Sequence, residues 1–265
     1  MGVVNVTPDS FSDGGRFAAP QDGLAHARQL IADGADILDV GGESTRPGAP
    51  PVCEAEELAR VVPLVAAIRA ETDLPISVDT MKPAVARAAV EAGATMWNDV
   101  TALRHAPDSL AVAAELGCEV VLMHMQGEPG TMQAEPRYDD VVSEVSEFLA
   151  ARAQAAMAAG VARDKIWLDP GVGFGKHMIR HNLPLLAGLG EIVALGFPVL
   201  LGVSRKSFIS AVDGGGVAAD QRLGGSIAGA LWGAQAGVAA VRVHDVRETV
   251  QALAVWNAIA RRRAD

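Results

Sequence analysis

The chain has 265 residues, of which 50% are hydrophobic but only 4% aromatic, so aliphatic side chains must fill its interior. Lys and Arg number 22 against 32 Asp and Glu, which gives a net charge of −10. This acidic balance disfavours binding to nucleic acids or anionic membranes, although a few converging cations can still hold a small anion in a cleft.

Short strand-like segments alternate with alanine-rich helical segments along the chain. Strands are predicted at residues 2–5, 37–39, 76–79, 95–98, 120–123, 166–169, 199–201 and 240–243. Helices are predicted near residues 23–33, 54–71, 83–92, 109–116, 139–159, 182–189, 223–236 and 246–262. About eight βα units is the number that closes a (β/α)8 TIM barrel.

We therefore expect an α/β fold, a single TIM-barrel domain over residues 1–265 whose active site lies at the C-terminal face of the strands. An open, doubly wound sheet is the alternative architecture. Such sheets usually have fewer strands, and no GxGxxG motif follows a predicted strand. Met1 leads directly into an apolar strand, which suggests an N-terminus shortened ahead of that strand.

The two cysteines, Cys53 and Cys118, lack the spacing of a metal site or a disulfide framework. They are predicted to be free thiols. No signal peptide and no apolar run long enough to span a bilayer are recognisable, so we expect a cytoplasmic protein.

Polar residues end or directly follow most of the predicted strands, although the strands themselves are apolar. These residues are Asn5, Asp39, Asp79, Asn98, Asp169, Arg242 and His244. Any one of them alone is readily explained as a strand end or a helix cap. Together they predict one site, because the C-terminal ends of barrel strands meet at one mouth.

The chemistry of these side chains indicates a ligand with two different ends. Asp79 and Asp169 accept hydrogen bonds when ionised, and Asn98 both donates and accepts, which suits a flat heterocycle with an edge rich in N–H groups. The cations suit phosphate oxygens or a carboxylate. They are Arg46, Lys206, Arg242 and His244.

Seven motifs resemble, in the same order, those of the dihydropteroate synthase family. They are NVTPDSFSDGG at 5–15, GGESTRPG at 41–48, SVDTMKP at 77–83, ND at 98–99, DPGVGFGK at 169–176, SRKS at 204–207 and RVHD at 242–245. The resemblance runs from Gly2 to about Trp256, and its first two motifs are the most specific.

The resemblance implies a transferase of folate biosynthesis. Such an enzyme condenses 6-hydroxymethyl-7,8-dihydropterin diphosphate with 4-aminobenzoate to give 7,8-dihydropteroate and diphosphate. Family members are also typically homodimers, so the resemblance implies a second copy of the chain as partner.

The resemblance also implies a role for each matching residue. The residues that would hold the pterin ring are Asp79, Asn98, Asp169 and Lys206, with Met123 and Phe174 packed beside it. The residues that would receive the diphosphate are Thr45, Arg46, Arg242 and His244. Alternatively, the planar guanidinium of Arg242 would stack on the pterin ring.

Two further roles complete the implied site. Asn5 would bind Mg²⁺ through its side-chain oxygen, and Ser207 would meet the aminobenzoate carboxylate. The expected catalytic residues are thus Asn5, Arg46, Asp79, Lys206, Arg242 and His244.

Other interpretations remain open at this point. A pterin-dependent methyltransferase would share the barrel but would have no use for a diphosphate pocket. A non-catalytic paralogue would keep the pterin site without turnover. Lys82 is predicted to be solvated beside the site, and Lys176 to do no more than close its glycine-rich loop. The segment between Lys176 and His181 is one residue longer than is usual in the family, which could shift the following helix.

Overall fold

The structure, a computed structural model, describes residues 1–6, 19–44, 49–128 and 130–262. Within these residues the strands are β1 (Gly2–Asn5), β2 (Leu38–Gly41), β3 (Ile76–Asp79), β4 (Met96–Asp99), β5 (Glu119–Met123), β6 (Ile166–Asp169), β7 (Leu200–Gly202) and β8 (Ala240–Arg242). β1 to β6 form one parallel sheet in sequence order, and β7 pairs in parallel with β8. Single parallel bridges, Leu168–Val199 and Gly2–Val243, join the two sheets on both sides. The predicted α/β barrel is confirmed.

Helices follow the strands and cover their outer faces. The α-helices of the described residues are α1 (Ala19–Ala32), α2 (Glu54–Arg69), α3 (Pro83–Glu91), α4 (Ser109–Leu116), α5 (Val141–Ala158), α6 (Asn182–Ala187), α7 (Leu189–Val193), α8 (Ser207–Val212), α9 (Leu223–Ala236) and α10 (Val246–Arg261). None of the helices in these parts of the chain is long and apolar enough to cross a membrane.

The predicted boundaries agree with the structure to within a few residues, apart from one helix. Three strands and two helices match completely, and most of the others shift by one or two residues at an end. The helix predicted at 182–189 is observed as α6, but it ends at Ala187, and a separate helix that was not predicted, α7, follows Gly188. A Cβ at Gly188 would lie 2.7 Å from a methyl carbon of Val142, so this turn packs closely against α5 in a way that only glycine permits.

The core has two layers, which follow from the alternation of side chains along each strand. Outward-facing residues such as Trp97, Val120 and Leu201 pack against the helices. Met96, Val121 and Leu200 belong to a separate cluster that fills the barrel interior. Residues two positions after these interior residues must also face the interior, but they lie at the C-terminal mouth. Asn98 and Met123 are two of them.

Candidate active site

The barrel mouth opens into a cavity of about 1630 Å³. Unlike the strand-end residue Asp39, the site residues that the family resemblance implies all line this cavity, wherever the structure describes them. They are Asn5, Asp79, Asn98, Met123, Asp169, Phe174, Lys206, Ser207, Arg242 and His244. Thr45 and Arg46 lie outside the described residues, as do residues 7–18 of the first motif loop.

Arg242 joins two carboxylates at the base of the cavity. Its Nε donates to Asp39 Oδ2 at 2.5 Å, and its Nη2 donates to Asp79 Oδ2 at 2.9 Å. The Asn98 amide also donates to Asp39 Oδ2, at 3.3 Å. Burial by itself disfavours the charge of Arg242, but the two carboxylates outweigh burial and raise its pKa. Arg242 is therefore a fixed cation.

Asp39 is a residue whose role the sequence did not reveal. It was predicted to face the mouth, but it is fully buried one layer below it and lies against Arg242 and Asn98. Side chains alternate along β2, so Asp39 faces the same side as Gly41, the last residue of the strand. Asp39 lies two positions earlier and therefore deeper in the barrel interior. Asp39 orients two cavity residues rather than facing the ligand.

Asp79 is a cavity carboxyl whose pKa is shifted by its surroundings. Burial raises the pKa of Asp79 to about 7, although the neighbouring Arg242 opposes this shift. Nearby Asp39 adds to it. Asp79 therefore changes charge close to neutral pH.

Because the family resemblance implies that Asp79 accepts from a pterin ring, the affinity for a pterin is expected to fall as the pH is lowered through about 7. A carboxyl with a raised pKa is ionised above that value and neutral below it, so the acceptor is lost on the acidic side. Well below the pKa the loss should reach about tenfold for each pH unit. Calorimetry with a neutral pterin over a pH series measures this loss of affinity. In Asp79→Asn the affinity should no longer fall as the pH is lowered through about 7. An unchanged affinity across the series would contradict the role given to the Asp79 charge.

Asp169 and Lys206 form the opposite wall. Asp169 Oδ1 accepts from the Gly171 N–H at 2.7 Å. Burial raises the pKa of Asp169, and the charge of Lys206 opposes that shift. Burial also lowers the pKa of Lys206 to about 8. Lys206 Nζ donates to the Val172 carbonyl and lies 4.9 Å from the centre of the Phe174 ring.

The last two motifs of the sequence meet at the ends of β7 and β8. His244 Nδ1 lies 3.0 Å from Ser204 Oγ. Arg205 has a φ of 59° and donates from Nε to Asp245 Oδ2 at 3.0 Å. These contacts hold the segments that carry Lys206, Ser207 and Arg242 against each other.

Lys82 corrects one expectation. It was predicted to be solvated, but its Nζ lies 2.6 Å from both Glu43 Oε2 and Glu57 Oε2, and Glu57 is fully buried. Glu43 Oε1 also accepts from the Val52 N–H at 3.0 Å. The ion pair joins the loops after β2 and β3, a contact between distant segments that no local pattern encodes.

Arg222 is a cavity residue that sequence reasoning missed. It lies just ahead of α9 and donates from Nη1 to the Arg205 carbonyl at 2.9 Å and from Nε to the Val217 carbonyl at 2.9 Å. No motif surrounds it, and only the fold brings it to the cavity.

The barrel and the charged residues of its mouth define a class of protein, and a comparison of this chain with models of known protein families identifies that class. A model of the family described as "Pterin binding enzyme" matches residues 1–244. The structure is therefore a pterin-binding barrel, as its paired carboxylates and cations predict.

Comparison with individual relatives shows which family of pterin-binding enzymes this chain belongs to. A dihydropteroate synthase of Streptococcus pyogenes is 49% identical over 96% of this chain and 93% of its own length. The structure of a Xanthomonas albilineans dihydropteroate synthase with 4-aminobenzoic acid has 52% identity and a TM-score of 0.92, covering 98% of this chain and 92% of that one. Another from that organism, in complex with 7,8-dihydropteroate, has 48% identity and a TM-score of 0.89 with the same coverage. This chain belongs to the dihydropteroate synthase family.

Proposed function

We propose that the protein condenses 6-hydroxymethyl-7,8-dihydropterin diphosphate with 4-aminobenzoate, forming 7,8-dihydropteroate and diphosphate for folate biosynthesis. The observation that carries this proposal is a single cavity that brings together two carboxylates, the half-buried Asp79 and the buried Asp169, and two cations, Lys206 and Arg242. Similar structures with 4-aminobenzoic acid and with 7,8-dihydropteroate support it.

The pterin ring binds across the carboxylates. Asp169 and Asp79 accept from ring N–H groups, and Asn98 satisfies a further donor or acceptor. Met123 and Phe174 belong to one apolar cluster at the mouth and pack beside the ring. Lys206 lies over the Phe174 ring and donates to an acceptor of the pterin.

The cations serve the anionic parts of the substrates. Arg242 and His244, together with Thr45 and Arg46, receive the diphosphate. Because Arg242 already binds Asp39 and Asp79, it carries its charge in a fixed position before the ligand arrives. Ser207 donates its hydroxyl to the aminobenzoate carboxylate.

The surroundings of Asn5 fit a magnesium ion. A Cβ at Gly41 would lie 3.6 Å from Asn5 Oδ1 and 3.7 Å from Asp79 Oδ2, so glycine keeps the space between these oxygens open. In the described part of the chain no cluster of three or more His, Cys, Asp and Glu side chains could hold a metal. One amide oxygen is a donor set that suits Mg²⁺, which usually keeps waters and takes phosphate oxygens. When bound, the ion would stabilise negative charge on the leaving diphosphate.

The reaction breaks the bond between the pterin methylene carbon and the diphosphate oxygen, and the electron pair leaves with that oxygen. Arg242 and His244 stabilise the negative charge that grows on the leaving group. The carboxylates of Asp79 and Asp169 favour the positive charge that spreads from the methylene into the ring. The nitrogen lone pair of aminobenzoate forms the new C–N bond, and its proton then passes to solvent. The arylamine is neutral at pH 7, so no strong base is needed.

Release of diphosphate by the purified protein tests the proposal directly. Both substrates with Mg²⁺ should give stoichiometric diphosphate and 7,8-dihydropteroate, and omitting 4-aminobenzoate should abolish the product. Pterin binding without turnover would favour a non-catalytic paralogue. Methyl transfer in place of diphosphate release would favour a pterin-dependent methyltransferase.

We also propose that the partner is a second copy of the chain. An apolar cavity of about 670 Å³ lies among α6, α8 and α9 on the outside of the barrel. Val212 and Trp232 line it with 61% and 47% of their surfaces exposed, and solvent-facing apolar groups of this size commonly mark an interface.

Val212→Glu is expected to weaken this dimer at least about tenfold, because a carboxylate would be buried between the subunits. Sedimentation equilibrium measures the change. Val255→Glu on α10 is the matched control, since Val255 is 56% exposed and lies outside the apolar cavity. Equal dissociation constants for the two variants would place the interface elsewhere.

A further inference from the structure

Lys176 has a buried amino group that the proposed reaction does not use, and burial lowers its pKa well below the usual range of a lysine. Only 1% of its surface is exposed. Its Nζ lies 2.8 Å from His124 Nδ1, 3.0 Å from each of the Gly171 and Phe174 carbonyl oxygens, and 3.3 Å from the His124 carbonyl oxygen. None of these four acceptors is a carboxylate. The amino group of Lys176 is thus held inside the loop by the dipoles of three carbonyl groups and one imidazole ring.

The imidazole of His124 is suited to accept from the Lys176 amino group. Burial, with a smaller contribution from the neighbouring Lys176, lowers the pKa of His124 to about 3. The ring is therefore neutral, and with its proton on Nε2 it presents the Nδ1 lone pair to Lys176. A buried amino group is costly unless its donors are satisfied, and four acceptors lie within hydrogen-bond distance of this one.

The loop around Lys176 has a conformation that depends on close backbone contact. Gly171 and Gly175 have φ values of 65° and 60°. A Cβ at Gly171 would lie 1.9 Å from the His124 carbonyl oxygen, and one at Gly175 would lie 2.2 Å from the Gln126 carbonyl oxygen. The loop therefore lies directly on the segment after β5. Its inward carbonyls need a donor, which Lys176 provides.

The same loop carries three contacts of the pterin end of the cavity. The Gly171 N–H binds Asp169, the Val172 carbonyl binds Lys206, and the Phe174 ring lies beneath the Lys206 ammonium. A change in the path of residues 170–176 would move all three groups together.

We propose that Lys176 is a positioning residue for the pterin subsite. Its Nζ holds the loop after β6 against His124, and the loop in turn places Asp169, Phe174 and Lys206 for the ring. The inference rests on the proposed function of the cavity, and it assigns to Lys176 a role in binding the pterin rather than the aminobenzoate.

Lys176→Met tests this role, because methionine retains an unbranched apolar chain but removes the N–H donors of Nζ. The dissociation constant of 6-hydroxymethylpterin should rise at least about tenfold, and the KM for the pterin diphosphate should rise with it. The KM for 4-aminobenzoate should stay within about twofold. A purely structural role would lower the active fraction and hence kcat, without a selective loss of pterin affinity. Lys165→Met is the matched control at the opposite end of β6 and should behave as the wild type.

His124→Phe provides an independent measurement if Lys176→Met does not fold. It keeps a ring at position 124 and removes the Nδ1 acceptor, so a rise in the pterin dissociation constant of at least about threefold is expected. Unchanged pterin affinity in a folded variant would overturn the inference, as would equal losses for both substrates. A wild-type protein that binds no pterin at all would overturn the proposed function, and the inference with it.

Discussion

Asp169→Asn is expected to weaken pterin binding by roughly ten- to a hundredfold while leaving the fold intact. The amide oxygen of asparagine can still accept from the Gly171 N–H, which now binds Asp169 Oδ1 at 2.7 Å. Its NH2 group would then replace the second carboxylate oxygen and meet ring N–H donors with another donor. A hydrogen bond to a charged group contributes about 1.5–3 kcal/mol, which sets the range. Calorimetry with a pterin ligand measures the loss.

Asp164→Asn is the matched control for this variant. Asp164 is exposed in the short 3-10 helix ahead of β6, so the same chemical change occurs at the far end of the same strand. Both variants should melt near the wild-type temperature. Unchanged pterin affinity in Asp169→Asn would remove this carboxylate from the ring site.

Gly171→Ala is expected to destabilise the protein by about 2–5 kcal/mol. A residue with a side chain costs about 1–2 kcal/mol in the left-handed region, and overpacking adds about 1–3 kcal/mol. Gly171 has a φ of 65°, and its added Cβ would lie 1.9 Å from the His124 carbonyl oxygen. Backbone atoms cannot rotate away as a flexible side chain can, so the loop must move. Urea denaturation measures the free energy of unfolding.

Gly117→Ala separates the two contributions. Gly117 has a φ of 60° at the end of α4, and no described atom lies within 4 Å of the position of an added Cβ. This variant should therefore lose only about 1–2 kcal/mol, the cost of the left-handed conformation. Equal losses of unfolding free energy in the two variants would show that the loop after β6 accommodates the added Cβ without a further loss of stability. Pterin affinity should fall only in Gly171→Ala.

The positions of the strand-end residues were predictable because they depend on local pattern. Side chains alternate along a strand, and the strands of a barrel run in parallel, so polar residues at strand ends share one mouth. Asp79, Asn98 and Asp169 meet there as expected. The roles assigned to them from the family resemblance, together with the magnesium site and the dimer, stay predictions.

The sequence by itself determined the order of the elements, the barrel, the family and the strand-end residues of the cavity, since motifs and periodicity are properties of neighbouring residues. Only the tertiary structure decided which charges pair. Arg242 binds Asp39 from the far end of the chain, and Lys82 is held by Glu43 and Glu57 instead of water. Lys176 looks in sequence like any loop lysine, yet it is buried against His124. Such partners are selected by distance in space and by the cost of burying an unsatisfied charge, and neither is encoded in the residues beside them.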